Sequence, residues 1–270
     1  MHIKSSRNAV ELSGFGGINL AVTLNCGQAF RWEETGGIYH GFAGAHEAYI
    51  KSENDSLVFL GADENEVRNF WINYFDLERD YGAILKKLCG DAFVSGAVEK
   101  YGVIRILNQE PWETLCSFIF SACNNIPRIK GIISRLSQAL GDEKENGFAF
   151  PPPERLAGKE PEELAFLRAG YRAPYIIDAA KRVCSGEIDF AAIRKMPEET
   201  ARRELMKIHG VGKKVADCTL LFSLGFHNVY PVDRHIDRAD KLIYPAGLPR
   251  CFDGERGLAQ QYIFHRQRTE

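Results

Sequence analysis

The chain has few of the features that mark specialised classes. None of its apolar runs reaches the roughly 18 residues a membrane helix needs, so no spanning helix is expected. Its start, Met1-His-Ile-Lys-Ser5, lacks the apolar core of a secretory signal. Seven cysteines are scattered without close pairs, which argues against a zinc or iron–sulfur ligand set. With an odd count in a chain of 270 residues, reduced thiols in a cytosol are the simpler reading. There is no low-complexity segment and no long repeat. A strong charge excess is also missing: the formal net charge is −2, unlike many basic nucleic-acid binders. Charge is uneven, however. From Ala201 to Lys241, Lys and Arg outnumber Asp and Glu, whereas Glu154 to Glu163 is acidic. A local basic face can therefore exist on a near-neutral protein.

A hydrophobic share of 45% is ordinary for a packed chain with room for two modest domains. Residues 3 to about 61 read as β. Ile18–Leu24, Ala48–Ile50 and Ser56–Leu60 are strand-like, and Gly36-Gly37 between Phe30-Arg-Trp32 and Ile38-Tyr39 is a hairpin signal. Asp63 can cap a helix carrying Val67, Phe70, Trp71 and Tyr74. Helices then follow to the end. Pro111 suits the first turn of one over Trp112–Ser121, and others are expected over Pro127–Leu140, Pro161–Arg168, Ala173–Cys184 and Gly254–Phe264, with Phe150-Pro-Pro-Pro153 as a rigid connector. The predicted class is α+β: an N-terminal antiparallel sheet domain with flanking helices over 1–100, then a mostly helical body of two lobes over 101–270.

The densest signal is Ile208-His-Gly-Val-Gly-Lys-Lys-Val-Ala-Asp-Cys218, followed by Pro231-Val-Asp233. Good helix formers precede it from Glu198, and an apolar run follows it to Leu224. Helix, glycine turn and buried helix make a helix-hairpin-helix over about 198–224. Gly210 and Gly212 free the backbone and leave the first amides of the second helix bare, a natural phosphate site. Lys214 falls in the first turn of that helix. Burial, helix dipole and the neighbouring Lys213 all disfavour an ammonium there, and a lysine pushed toward neutrality is a nucleophile for carbonyl-like carbon. A surface lysine touching phosphate is the plain alternative, and a pair with Asp217 is a structural one. Asp233 can cap the helix beginning at Arg234. Cys218 and Phe222 share the helix face of Lys214, where core packing is the simpler role.

These residues, with Gly27-Gln-Ala-Phe-Arg-Trp32, Pro111-Trp112, Asn124-Asn-Ile-Pro-Arg128, Phe150-Pro-Pro-Pro-Glu154, Gly170-Tyr-Arg-Ala173, Pro231-Val-Asp-Arg-His235 and Gly257-Leu-Ala-Gln260, resemble the helix-hairpin-helix DNA glycosylases, and among them the 8-oxoguanine DNA glycosylase family. The resemblance implies a base pocket in a cleft between helical lobes, excision of oxidised guanine from duplex DNA opposite cytosine, and a strand-cleaving lyase step. It implies Lys214 as the nucleophile at the sugar C1′ and Asp233 as the acid that steadies oxocarbenium character. Gly27, Cys218, Gln260 and Phe264 would line the base pocket, with the Gly27 carbonyl accepting the N7 proton that only the oxidised base carries. Asn124, Arg128, Tyr171 and Arg172 would fill the vacated stack or meet the orphaned cytosine. Gly210, Gly212 and His235 would hold phosphate. Cys123 stands where asparagine is common in the family, and Gln267 where an acid is often found.

No cofactor or catalytic metal is expected, although the hairpin could hold a structural monovalent cation. A monomer in a bacterial or archaeal cytoplasm, without membrane contact, completes the expectation. Two alternatives remain: a monofunctional alkylated-base glycosylase, which uses the aspartate without the lysine, and a non-catalytic helix-hairpin-helix DNA-binding module.

Overall fold

The computed structural model describes residues 1–270. Six strands form one antiparallel sheet: β1 (His2–Ser6), β2 (Ala9–Ser13), β3 (Trp32–Thr35), β4 (Ile38–Ala43), β5 (His46–Glu53) and β6 (Ser56–Leu60), in the order β1-β2-β6-β5-β4-β3. Period-two alternation sets the register. Val10 and Ile50 both face Phe59, and Leu12 faces Leu57, and all five are buried. Gly36 and Gly37, both at positive φ, form the expected two-residue turn between β3 and β4. Asn54 and Asp55, also at positive φ, do the same between β5 and β6. The next helical run, Glu64–Tyr74, contains a π-helical turn at Val67–Trp71 and begins at the Asp63 cap. Its Trp71 packs at 6.0 Å between ring centroids on Phe59 and at 5.8 Å on Trp32.

One expected strand is a helix. Ile18–Leu24 reads as alternating, yet Leu20–Asn25 is α1. The cause is a cap and a face. Asn19 accepts a hydrogen bond from the Val22 amide and donates to the Tyr101 carbonyl. Leu20, Thr23 and Leu24, the buried residues of the helix, follow helical spacing. Pro161–Leu167 is also not an α-helix but a 3-10 segment, ending at left-handed Arg168.

The remaining main helices are α2 (Tyr81–Leu88), α3 (Ala92–Tyr101), α4 (Pro111–Ser121), α5 (Ile126–Leu140), α6 (Ala173–Cys184), α7 (Glu198–Leu205), α8 (Lys213–Ser223), α9 (Arg234–Ile243) and α10 (Arg256–Thr269). None is long and apolar enough to cross a membrane.

Contacts divide the chain into two compact units that do not follow chain order. The first comprises Met1–Gly41, Ala48–Asn108 and His227–Glu270, and the second Phe42–Glu47 and Gln109–Phe226. After the short excursion at Phe42–Glu47, the chain leaves the sheet-bearing unit at Asn108, and the last helices rejoin it from His227. The reason is α10, which lies on α3: Arg266 donates to the Phe93 carbonyl at 3.0 Å, and the His265 and Tyr101 rings meet edge-on at 4.6 Å. The second unit is built on α4, whose residues Trp112–Phe120 are all buried. Phe118 of α4 stacks on Phe222 of α8 at 5.4 Å.

Candidate active site

The hairpin is α7, the turn Met206–Gly212, and α8. Gly210 has φ +81°, and a Cβ there would lie 2.2 Å from the Tyr175 ring of α6. Both the backbone conformation and the close approach therefore demand glycine. Gly212 is a different case. Its φ of −91° suits any residue, and a Cβ would meet nothing within 4 Å. As the N-cap of α8 it offers no side-chain cap, so its contribution is to leave the first amides uncovered at the positive end of the helix. The turn is fastened to α6 by Asp178, which accepts from the His209 amide at 2.8 Å, and by the His209 ring against Tyr175 at 4.7 Å.

Across the hairpin, buried Asp217 of α8 accepts from Arg202 of α7, which also bonds Glu198 at 2.9 Å and Glu199. Burial works against the Arg202 charge, but the bonds to Asp217 and Glu198 and the nearby Glu199 charge together outweigh it, and the guanidinium is held above its ordinary value. Burial raises the Asp217 carboxyl, against the opposing pull of Arg202. Asp217 is thus the partner of Arg202 rather than of Lys214. Sequence spacing gave no sign of this brace, because the two residues meet only once the hairpin closes.

Lys214 is half-buried, whereas Lys213 is exposed. The Lys214 Nζ donates to Ser121 Oγ at 2.9 Å and lies 4.8 Å from the Phe118 ring centre, a contact that attracts a cation. Ser121 spends its own proton on the Phe118 carbonyl, which leaves its oxygen lone pairs for the lysine. Cys218, one turn on, is 3% exposed. Phe222 is a core residue against Phe118.

The loop between α4 and α5 carries Cys123 at φ +47°. Arg172 is turned inward beneath it. Only 3% exposed, it donates to the carbonyls of Ala122, Cys123 and Ala169 and to the Tyr171 hydroxyl, with its guanidinium 4.3 Å from the Tyr171 ring. Its fork is occupied by backbone. Asn124 is similarly engaged, donating to the Phe120 carbonyl and accepting from the Asn125 amide. Tyr171 is 53% exposed, and Arg128 is exposed too, with one long bond of 3.4 Å to the Arg168 carbonyl.

The other named residues lie in the first unit. Asp233 caps α9: its Oδ1 accepts from the His235 and Ile236 amides, both at 2.9 Å. Both bonds fall on one oxygen, so Oδ2 keeps its acceptor capacity. His235 is exposed in the same turn. Gly27 has φ +90°, and its neighbours are anchored. Gln28, fully buried, donates to the carbonyls of Thr23 and Arg105 and accepts from the Leu107 amide. Cys26, also fully buried, has its thiol pushed up to about 12 by burial against the hydrogen bond from Gln28.

On α10, Gln260 is 5% exposed, and half-buried Phe264 has the Arg268 guanidinium 5.3 Å from its ring centre. The start of α10 is clamped by Arg79, whose Nη2 lies 2.7 and 2.6 Å from the two carboxylate oxygens of Glu255 and whose Nη1 lies 3.1 Å from His227 Nδ1, while the Gly257 amide bonds the His227 carbonyl. Burial, and then Arg79, lower His227 to about 4. No group of three or more His, Cys, Asp or Glu gathers to hold a metal.

Residues 15–115 match the family model described as 8-oxoguanine DNA glycosylase, N-terminal domain. The chain is 33% identical over 259 residues to the N-glycosylase/DNA lyase of Saccharomyces cerevisiae, covering 83% of this chain and 68% of the yeast protein. It is 31% identical to the N-glycosylase/DNA lyase OGG1 of Arabidopsis thaliana, covering 81% of this chain and 64% of the plant protein. The structure of Clostridium acetobutylicum 8-oxoguanine glycosylase/lyase, in complex with double-stranded DNA containing cytosine opposite 8-oxoguanine, superposes with a TM-score of 0.93 at 34% identity, covering 99% of this chain and 98% of that one. With the hairpin, its lysine and the capping aspartate in place, the chain belongs to the 8-oxoguanine DNA glycosylase family of helix-hairpin-helix N-glycosylase/DNA lyases.

Proposed function

We propose that this chain is a bifunctional DNA glycosylase/AP lyase that extrudes 8-oxoguanine from duplex DNA opposite cytosine, excises it and cleaves the strand. The observation that carries the reading is Lys214: a half-buried amine in the first turn of α8, held by Ser121 over Phe118, directly after an uncapped hairpin turn. The uncovered amides at Gly212 grip a backbone phosphate. The base leaves the stack so that C1′ becomes reachable.

Lys214, having given up one ammonium proton, uses its Nζ lone pair to form a bond to C1′. The C1′–N9 bond breaks, and its electron pair leaves with the base, which takes up a proton. Oxocarbenium character at the sugar is steadied by Asp233, whose Oδ2 is not used in capping. The new Nζ–C1′ ammonium loses a proton, and its freed lone pair forms the iminium with C1′ as the C1′–O4′ pair moves onto O4′, which takes up a proton. Loss of a C2′ proton then expels the 3′ phosphate, and water later releases the lysine. A monofunctional alkylated-base glycosylase has no use for Lys214, and in a binding module Asp233 would be a helix cap alone.

Gly27 offers a carbonyl in an anchored loop to the N7 proton of the oxidised base, while guanine brings a lone pair to the same place. Cys218 and Phe264 supply apolar faces for the base, and Gln260 reads its Watson–Crick edge. On the DNA side, Arg128 and Tyr171 are outward-facing and suited to the orphaned cytosine. His235 meets phosphate. Arg172 and Asn124 act first by shaping their loop, since their polar groups are already bonded to it. No cofactor takes part. A monovalent cation at the hairpin would be held by backbone carbonyls, the oxygen type that hard cations favour, and no step passes through it. The setting is a bacterial or archaeal cytoplasm, where the chromosome supplies the substrate.

Borohydride trapping on duplexes containing 8-oxoguanine tests this. Wild type and Lys213→Gln should give a covalent adduct, and Lys214→Gln none. Base release without an adduct in the wild type would remove the lysine mechanism. A cleavage panel with each of the four bases opposite the lesion tests the cytosine readers: Arg128→Gln should flatten the preference for cytosine.

A further inference from the structure

Gln260 is held by a chain of hydrogen bonds that begins beside Gly27. Gln28 Nε2 lies 3.4 Å from Cys26 Sγ, Cys26 Sγ lies 3.2 Å from Gln261 Oε1, and Gln261 Nε2 lies 2.6 Å from Gln260 Oε1. All four side chains are buried, from fully buried Cys26 and Gln28 to Gln261 at 3% and Gln260 at 5% exposure. Gln28 Nε2 gives its two protons to the Arg105 and Thr23 carbonyls at 2.8 and 3.0 Å, so its longer contact with the sulfur is a shared one and the direction of the chain is set by the thiol. The thiol keeps its proton, as burial holds it far from ionisation, and its nearest acceptor is Gln261, with the Thr23 carbonyl more distant at 3.5 Å. Gln261 therefore presents oxygen to Cys26 and nitrogen to Gln260.

This matters because a glutamine amide is nearly symmetric in shape but not in chemistry. Rotated by half a turn, it offers a donor where it had an acceptor. An isolated Gln260 could suit either kind of purine edge. A guanine-type edge presents an acceptor at position 6 and a donor at N1, and an adenine-type edge presents the reverse. With its Oε1 tied to Gln261, the amide of Gln260 has one orientation and so suits one edge. We infer that Gln261, backed by Cys26, is a positioning residue that fixes the amide of Gln260 and thereby selects a guanine-type over an adenine-type oxidised base. The inference rests on the reading of Gln260 given above. Gln261 itself need not touch the base.

The test uses the full chain and single-turnover excision of 8-oxoguanine and of 8-oxoadenine, each opposite cytosine. Gln261→Met and Cys26→Ala should lower the ratio of the two rates on the order of 10-fold, the size of one hydrogen bond, and Cys26→Ser, which keeps a donor, should preserve it. Borohydride trapping on a duplex with a ready-made abasic site has no base to read, so it should be unchanged in all three variants. An unchanged ratio in Gln261→Met would overturn the inference. A lower ratio accompanied by lost abasic trapping would also overturn it, since that marks a general packing role. Failure of the wild type to release 8-oxoguanine or to trap would instead overturn the function on which the inference rests.

Discussion

Replacing Arg202 by methionine removes the cation that joins α7 to α8 and keeps most of the side-chain volume. Asp217, 1% exposed, is then a buried carboxylate without its partner. Losing one member of a buried pair costs about 3–5 kcal/mol. At about 2–4 °C per kcal/mol for a chain of this size, even the lower figure lowers the melting temperature by roughly 6–12 °C. Asp217→Asn is the informative contrast. It keeps the shape and an acceptor, and Arg202 retains Glu198 and Glu199, so the cost falls to about 1–2 kcal/mol. The double variant Arg202→Met/Asp217→Leu should recover most of the loss, because two apolar groups replace the pair.

Acidity sharpens the contrast. The Asp217 carboxyl is already raised by burial, with Arg202 opposing. Without Arg202 it rises further. A carboxyl whose folded value lies above its unfolded value binds its proton more readily in the folded state, so stability increases as pH falls through the folded value. The deficit of Arg202→Met should therefore shrink on acidification from neutral pH. Thermal melts followed by circular dichroism measure all four proteins. Equal losses for Arg202→Met and Asp217→Asn, or a deficit that widens in acid, would refute the reasoning.

Gly210→Ala should destabilise by at least the roughly 1–2 kcal/mol of a left-handed backbone, with more added by the overlap with Tyr175, whereas Gly212→Ala should leave the melting temperature almost unchanged and weaken DNA binding, read by fluorescence anisotropy. His227 adds a pH dependence of its own. Its folded value, lowered from 6.5 to about 4 by burial and Arg79, means that the unfolded chain takes up a proton first, so stability present above 6.5 is lost as pH falls toward 4. His227→Gln should flatten the urea midpoint between pH 7 and pH 5.

Local signals were legible in the sequence. Asp63, Asp233 and Pro111 all stand at helix starts, as their residue types require, and Gly36-Gly37 turns a hairpin. The glycine pair also marked the helix-hairpin-helix, although only Gly210 is required by backbone conformation. Ile18–Leu24 misled because it satisfies both periods, and only the Asn19 cap and the burial of one face decide between them. What depends on tertiary contact was not legible. Nothing in the spacing of Arg202 and Asp217 announces a buried pair. Arg172 looked like a base reader, but the Ala122 and Cys123 carbonyls occupy it. Cys26 and Gln261 are 235 positions apart, and only the fold brings the thiol to the amide. The resemblance of Gly27 and Gln260 to family residues says nothing of the hydrogen bonds that link Gln260 to Gln261 and Cys26.

The inward Arg172 also bears on how quickly the protein can engage a duplex. A loop that orders only on contact costs about 0.5–1.5 kcal/mol for each long side chain immobilised and slows productive encounter. Here the carbonyls of Ala122 and Cys123 are tied down before any DNA arrives, and Asn124 is bonded at both ends of its amide. The segment proposed to meet the helix stack is therefore preorganised, and on that proposal it would probe successive base pairs in one fixed shape, without folding and refolding at each step.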